Sequence, residues 1–376
     1  MSVILPGSSI GILGGGQLAR MLSVAAKPMG YNVIVLDPDP ACPASSVCDQ
    51  VIAANFDDVI ALERLASLCE VVTLEFENVP ASGLAILEAK VPLRPSAKVL
   101  EVARDRILEK QFLNDIGVQT APWAAVRVLE DLQPAIEVTN MPAILKTATL
   151  GYDGKGQVKV NTLKEAQAAF SRFDMDCVLE GLVQFDLEIS VIVARSSRGE
   201  VRAFAPFENA HANGILDVTT IPANIPESVT RAAEKMALEI AAKLDAIGLL
   251  TIEMFVSNDA RVLVNELAPR PHNSGHLTIE ACPTSQFEQA IRAVCGLPLG
   301  NVTPHTPAAM VNLLGDLWQN AVPDWNAALE IPKTHLHLYG KLEARAGRKM
   351  GHITVLGKTA QEARDAALRA REALNS

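Results

Sequence analysis

The sequence predicts a mixed α/β and α+β protein: an N-terminal doubly wound domain, an α+β middle portion and a small C-terminal mixed α/β domain. Three observations carry this reading. A strand, a glycine loop, a helix and a second strand follow one another over residues 9–37. From Met141 onward, short strands alternate with glycine-rich turns. Two consecutive apolar runs, 249–256 and the one beginning at Val262, each carry a glutamate inside them. The expected boundaries are 1–96, 97–300 and 301–376.

A chain of 376 residues is long enough for two or three cores. Hydrophobic residues make up 49% and charged residues 20%, a globular balance. The net charge of −10 excludes broad nucleic-acid binding, because no basic excess exists to neutralise phosphates. The six cysteines (Cys42, Cys48, Cys69, Cys177, Cys282 and Cys295) form no C-x-x-C pair. A zinc site and a disulfide framework are both disfavoured, and reduced thiols are expected. The first residues lack the cationic and apolar regions of a secretion signal. No run approaches the roughly 18 apolar residues of a membrane helix, so a cytoplasmic protein is expected.

The elements follow in order. Residues 9–13 form an apolar strand that runs into Gly14-Gly-Gly-Gln-Leu-Ala19. Leu18, Met21, Leu22 and Ala25 then repeat at helical spacing, and 32–36 is the next strand. Strands at 50–53 and 71–75, with a helix at 57–68 between them, complete a βαβ arrangement. Residues 92–96 read as a link, and 97–116 as one helix ending at Gly117. Strands are predicted at 143–146, 157–160, 177–180, 188–194 and 201–207, and a long helix at 227–244. The two glutamate-bearing strands come next, then a helix at 285–295. After Val302, short strands at 334–339 and 353–356 precede a terminal helix at 360–374.

Gly14-x-Gly16-x-x-Ala19, followed by Asp37, fits the dinucleotide-binding pattern, in which glycines let the backbone approach an anion. Another phosphorylated ligand near Gln17 fits it better than a dinucleotide does, and a structural turn stays open. Lys146 ends an apolar strand just before Gly151-Tyr-Asp-Gly-Lys-Gly-Gln157, a glycine-rich hairpin between two strands. It is no Walker A loop, which needs strand, loop, helix and a Lys-Ser or Lys-Thr ending. Its N–H groups can still fold over a triphosphate. Glu180-Gly-Leu-Val183 ends another apolar strand, and Glu188 follows; an adenine and ribose fit such a segment, as does an ordinary edge strand. His211 stands in a polar loop. A carboxylate in an apolar strand costs several kcal/mol unless paired. Glu253 and Glu266 therefore suggest Mg²⁺, which takes one or two carboxylates plus phosphate oxygens; cationic neighbours would satisfy them too. Lys341 and Arg348 flank a short loop.

Taken in order, Lys146, the 151–157 hairpin, Glu180 to Val183, Glu188, Glu253 and Asn265-Glu266 resemble the ATP-grasp superfamily. Gly14-Gly-Gly-Gln-Leu-Ala-Arg-Met21, the hairpin sequence and Asn265-Glu-Leu-Ala-Pro-Arg-Pro-His-Asn-Ser-Gly-His276 narrow the likeness. Together they look like the 5-(carboxyamino)imidazole ribonucleotide synthase family, over nearly the whole chain. Ala19 stands where many relatives have glycine. The resemblance implies an ATP-grasp fold with an N-terminal doubly wound (preATP-grasp, Rossmann-like) domain.

It also implies site residues. Arg106 and Lys146 would hold ATP phosphates under the flap of Gly151, Tyr152, Asp153, Gly154, Lys155, Gly156 and Gln157. Glu180, Gly181, Leu182, Val183 and Glu188 would frame adenine and ribose, with His211 beside them. Glu253 and Glu266 would hold Mg²⁺, with Asn265 alongside. Aminoimidazole ribonucleotide would meet Gln17, Leu18, Glu75, Tyr152, Asp153, Arg270, His272 and Asn273, its phosphate reaching Lys341 and Arg348. Tyr152, Asp153, Arg270 and Lys341 are the expected catalytic residues. The implied reaction is ATP- and bicarbonate-dependent carboxylation of the substrate amine through carboxyphosphate, in purine biosynthesis, by a homodimer. Another ATP-grasp carboxylate–amine ligase, a formate-dependent glycinamide ribonucleotide transformylase, and an NAD(P)-dependent oxidoreductase built on Gly14 to Asp37 are the alternatives.

Overall fold

Alternation along the first apolar runs decides which face of a sheet each side chain meets. In the computed structural model, which describes residues 3–151, 154–319 and 322–375, the strands Ser9–Leu13, Asn32–Asp37, Gln50–Ala53 and Val71–Leu74 form a parallel four-stranded sheet. Ile10, Ile12, Val33 and Val35 face one core with Leu18 and Leu22 of the helix Gln17–Ala26. Leu13, Ile34 and Leu36 face the other, against Leu62 and Leu65 of the helix Val59–Leu68. Burial on both faces is what a doubly wound sheet requires.

A second sheet is small and antiparallel, in the order Trp123–Val126, Cys177–Gly181, Ala143–Thr147, Gln157–Val160. The helices Leu132–Thr139 and Leu163–Phe173 cover its apolar face. Thr162 starts the second of these by accepting a hydrogen bond from the Glu165 N–H.

Among the described residues the third sheet has nine strands. Its main path runs Val262–Ala268, Gly248–Val256, Leu187–Arg195, Phe207–Ala212, Ile215–Ile221, Ala308–Leu314, Lys349–Leu356, Thr334–Leu338. All these neighbours pair antiparallel. The helix Glu227–Lys243 packs on Val191, Val193, Leu250 and Ile252, and the helix Ala360–Ala373 packs on Val311, Ile353 and Val355. Strands from the middle and the end of the chain thus share one sheet.

Two predicted elements are divided. The helix expected over 97–116 is two helices, Ala97–Arg104 and Arg106–Asp115. Asp105 between them is extended, and its carboxylate accepts from the N–H groups of Ile107 and Leu108 at 2.8 and 3.3 Å. An aspartate that caps a new helix wins over continuous periodicity. The strand expected over 201–207 breaks into Val201–Ala203 and the start of Phe207–Ala212. Pro206, which has no N–H to offer a ladder, lies at the break.

Candidate active site

The N-terminal glycine loop spends its N–H groups on the protein's own carboxylates. Asp37 accepts from the Gly15 N–H at 2.7 Å, and Glu75 accepts from those of Gly16 and, at 3.1 Å, Ala19. Burial pushes the Glu75 carboxyl above its ordinary range, against the pull of these N–H groups. A Cβ on Gly16 would collide with that carboxylate. The helix N-terminus is therefore neutralised from within, where a dinucleotide's pyrophosphate would have to sit. That geometry disfavours the oxidoreductase reading. Gln17 is half-buried at the helix start, whereas Leu18 points into the core.

The break at Asp105 places Arg106 at the start of a helix, next to the strand that ends in Lys146. The Arg106 N–H donates to the Ala148 carbonyl at 2.8 Å, and its guanidinium donates to that of Thr147 at 2.9 Å. One turn on, Lys110 is nearly fully buried, 3.2 Å from Glu180 Oε1 and 3.5 Å from the Asn265 carbonyl. Lys146 reaches Glu180 Oε2 at 2.8 Å. Burial alone would push Glu180 up, but the two ammonium groups outweigh it and bring the carboxyl down to about 2. Lys110 carried no sequence signal beyond an adjacent Glu-Lys pair on an amphipathic helix.

The described glycines of the 151–157 segment lie beside this cluster. Gly151 abuts the Arg106 guanidinium, and Gly154 lies against Gly214 of the neighbouring hairpin. Gly156 has φ +72°, and a Cβ there would stand 2.6 Å from Thr147 Oγ1, so glycine is required. Tyr152 and Asp153 lie outside the described residues. Gly181 pairs with Ala143 at the strand end, Leu182 is exposed and Val183 is partly buried.

Glu253 and Glu266 are direct register partners on adjacent strands, with a bulge immediately after Glu253. Their side chains are 24% and 44% exposed, so they face a cleft rather than the core. Burial and the neighbouring Glu253 charge raise Glu266, while Arg106, at 3.7 Å, pulls it down. Burial would raise Glu253 as well, but the hydrogen bond from His272 and the cations around it, Arg270 among them, bring it down to about 2. Behind them Glu109 accepts from the Leu267 N–H at 2.8 Å; burial and then the Glu266 charge push its carboxyl up to about 8.

The loop after Glu266 turns its cation the other way. Arg270 lies 2.8 Å from Glu77, which sequence reasoning missed. His272 Nε2 is 2.8 Å from Glu253. Asn273 is buried, and both polar atoms of its amide have no hydrogen-bond partner among the described residues. His211 bonds Glu188 on the adjacent strand; burial works against its protonation, but Glu188 more than compensates and its pKa rises. Lys341 donates to the Lys349 carbonyl at 2.8 Å, and its charge reaches Glu75. Arg348 instead donates to the Glu343 carbonyl at 2.8 Å.

Two carboxylates in register, with Glu266 raised by burial and then by the Glu253 charge, lie near Arg106, Lys146 and Arg270 and beside a glycine-rich hairpin. This is the arrangement of an ATP-grasp enzyme, and comparison with known proteins agrees. Residues 111–287 match the ATP-grasp domain, 8–104 the ribonucleotide synthetase preATP-grasp domain, and 308–366 the phosphoribosylaminoimidazole carboxylase C-terminal domain. The N5-carboxyaminoimidazole ribonucleotide synthase of Brucella melitensis is 49% identical over 352 residues, covering 93% of this chain and 96% of that one. That of Bacillus subtilis is 42% identical, covering 96% and 94%. A crystal structure of an N5-carboxyaminoimidazole ribonucleotide synthetase with ADP superposes with a TM-score of 0.92 at 42% identity, covering 98% of both chains. The enzyme from Aspergillus clavatus, in complex with ADP and 5-aminoimidazole ribonucleotide, gives 0.89 at 31%, again covering 98% of both. The chain belongs to the N5-carboxyaminoimidazole ribonucleotide synthase family.

Proposed function

We propose that this protein uses ATP and bicarbonate to carboxylate the amino group of 5-aminoimidazole ribonucleotide, forming N5-carboxyaminoimidazole ribonucleotide for purine biosynthesis. One observation carries the reading: the strand Val262–Ala268 brings Glu266 to the Arg106 side, and the loop directly after it supplies Arg270 and His272. Nucleotide and ribonucleotide would meet across that single segment.

ATP would lie between the small antiparallel sheet and the nine-stranded sheet, its phosphates on Arg106 and Lys146 beneath the 151–157 flap. Glu180 to Val183 would border the adenine, and Glu188 with His211 the ribose. Glu253 and Glu266 suit Mg²⁺: two oxygen donors in register, with Glu266 raised by burial and by the Glu253 charge, match an ion that arrives with phosphate oxygens. When bound, Mg²⁺ would neutralise phosphate charge, with Asn265 alongside.

A bicarbonate oxygen attacks the γ-phosphorus, the bond to ADP breaks, and carboxyphosphate forms. The role of the cations is positioning and charge neutralisation. The ribonucleotide amine then attacks the carboxyl carbon, phosphate departs with the bonding electrons, and the amine gives up a proton. Arg270, Lys341, Tyr152 and Asp153 are assigned to this centre. Gln17, Glu75, His272 and Asn273 are assigned to the ribonucleotide, with Arg348 near its phosphate; the unpartnered amide of Asn273 supports its place there. A closed flap excludes the water that would hydrolyse carboxyphosphate. The same reading takes the protein as a cytoplasmic homodimer. Among the described residues no helix is long and apolar enough to cross a membrane, and all six cysteines are free thiols.

ADP release with each substrate omitted in turn tests the function. Release should require bicarbonate and aminoimidazole ribonucleotide together; equal rates with formate or with glycinamide ribonucleotide would refute it.

A further inference from the structure

Glu180 is bound by two ammonium groups that differ in their freedom to leave it. Lys146 Nζ donates to Oε2 at 2.8 Å from near the end of the strand Ala143–Thr147, just before the glycine-rich hairpin. Its side chain is 12% exposed, and its charge reaches Glu266 as well. Lys110 Nζ lies 3.2 Å from Oε1, on the middle of the helix Arg106–Asp115. Its side chain is 1% exposed, and it also donates to the Asn265 carbonyl at 3.5 Å. Oε1 has no aligned hydrogen bond among the described residues, so Lys110 holds that oxygen by charge.

Glu180 itself is only 5% exposed. A carboxylate that deep keeps its charge beside a cation, and stripping it of its last partner is strongly unfavourable. If Lys146 were the sole partner, ATP could draw it onto a phosphate only by leaving Glu180 bare. With Lys110 fixed on the other oxygen, Lys146 can depart while Glu180 stays paired. The reverse exchange is closed, because the Lys110 ammonium is enclosed between Glu180 and the Asn265 carbonyl.

We propose that Lys110 is a positioning residue for the reaction: it is the resident cation of Glu180, and its presence lets Lys146 pass from Glu180 to the phosphates of ATP. Glu180 then remains charged and in place on the strand Cys177–Gly181, beside the adenine. This rests on the placement of the ATP phosphates at Lys146 under the proposed function.

A crystal structure of the wild type with Mg²⁺ and a non-hydrolysable ATP analogue is the first test. Lys146 Nζ should lie on a phosphate oxygen and out of hydrogen-bond reach of Glu180, with Lys110 still against Glu180. Lys146 on a phosphate yet still bonded to Glu180, or Lys110 gone from Glu180, overturns the proposal alone. Phosphates seated away from Lys146 overturn the placement of ATP, and the proposal falls with it.

Binding in solution is the second test. Lys110→Gln removes the charge but keeps a donor for the Asn265 carbonyl. Its affinity for ATP relative to adenosine, which has no phosphate, should fall at least about tenfold. A merely structural role would weaken both ligands alike. In Lys110→Gln/Glu180→Gln no carboxylate holds Lys146 back, so the preference for ATP should return. An unchanged preference in Lys110→Gln, or one still lost in the double variant, overturns the proposal. If Lys110→Gln does not fold, the crystal structure and the double variant decide.

Discussion

Lys146 Nζ stands 2.8 Å from Glu180 Oε2, with the two side chains 12% and 5% exposed. Lys110 approaches the other oxygen of the same carboxylate, so Glu180 holds two ammonium groups in place, and Lys146 is proposed to meet the ATP phosphates. Lys146→Met should therefore reduce ADP formation by at least about 100-fold, the scale of losing one preorganised charge contact. A nucleotide-binding titration alongside the kinetics would check it, and near-normal turnover would remove Lys146 from the phosphate site.

The same carboxylate governs acid stability. Its pKa falls from 4.5 to about 2 on folding. A depressed carboxylate contributes stability that is complete above its unfolded value and is lost as pH falls through the folded one. About 3 kcal/mol should disappear between pH ~4.5 and ~2. In denaturant titrations across that window, Glu180→Gln should flatten the curve. It should also lower stability at pH 7, since two buried ammonium groups lose their partner.

Glu109 works in the opposite direction. Its pKa is raised from 4.5 to about 8, so the unfolded state releases this proton first, and stability falls as pH rises from ~4.5 to ~8. The total is a few kcal/mol. Glu109→Gln keeps an oxygen to accept the Leu267 N–H, and its stability should lose this slope and exceed the wild type's at pH 8. A steeper decline in the variant would show that the group is ionised in the folded protein at neutral pH.

Glu266→Gln should abolish ADP formation while leaving the fold intact, because its side chain is 44% exposed and its ion pair with Arg106 is a loose 3.7 Å. Melting temperature and ADP release together decide the matter. A variant that melts normally and still turns over would end the assignment of Glu266 to the metal.

Asp105→Ala removes the cap that begins the helix Arg106–Asp115. A loss of about 1 kcal/mol is expected from the cap alone. Arg106 stands at the freed end, so KM for ATP should rise as well. An unchanged KM with the stability loss would separate the cap from the nucleotide site.

Much of this is legible in the sequence. The strands carrying Glu253 and Glu266 were found from an energetic oddity, two acids in apolar runs, and the pairing places them in register. Short apolar runs bounded by turn residues, with a glycine loop and helix between them, mark the parallel sheet, whose strands are buried on both faces. The split at Asp105 was hidden because a capping aspartate inside an unbroken apolar period looks like a solvent-facing helix residue. Glu77 and Lys110 were hidden for a different reason. Their meaning comes from Arg270 and Glu180, at far positions in the chain, and no local pattern records a partner that distant. The strand Ile215–Ile221 was not predicted, nor was Ala308–Leu314, which pairs with it from about ninety residues away.

That last pairing bears on how the protein could be taken apart. Cutting the chain near residue 300 would strip a strand from each side of the Ile215–Ile221 and Ala308–Leu314 seam, baring two rows of unsatisfied N–H and C=O groups. Raw edges of that kind recruit one another. Either fragment made alone should aggregate rather than fold, and a split version should recover only when both halves are produced together.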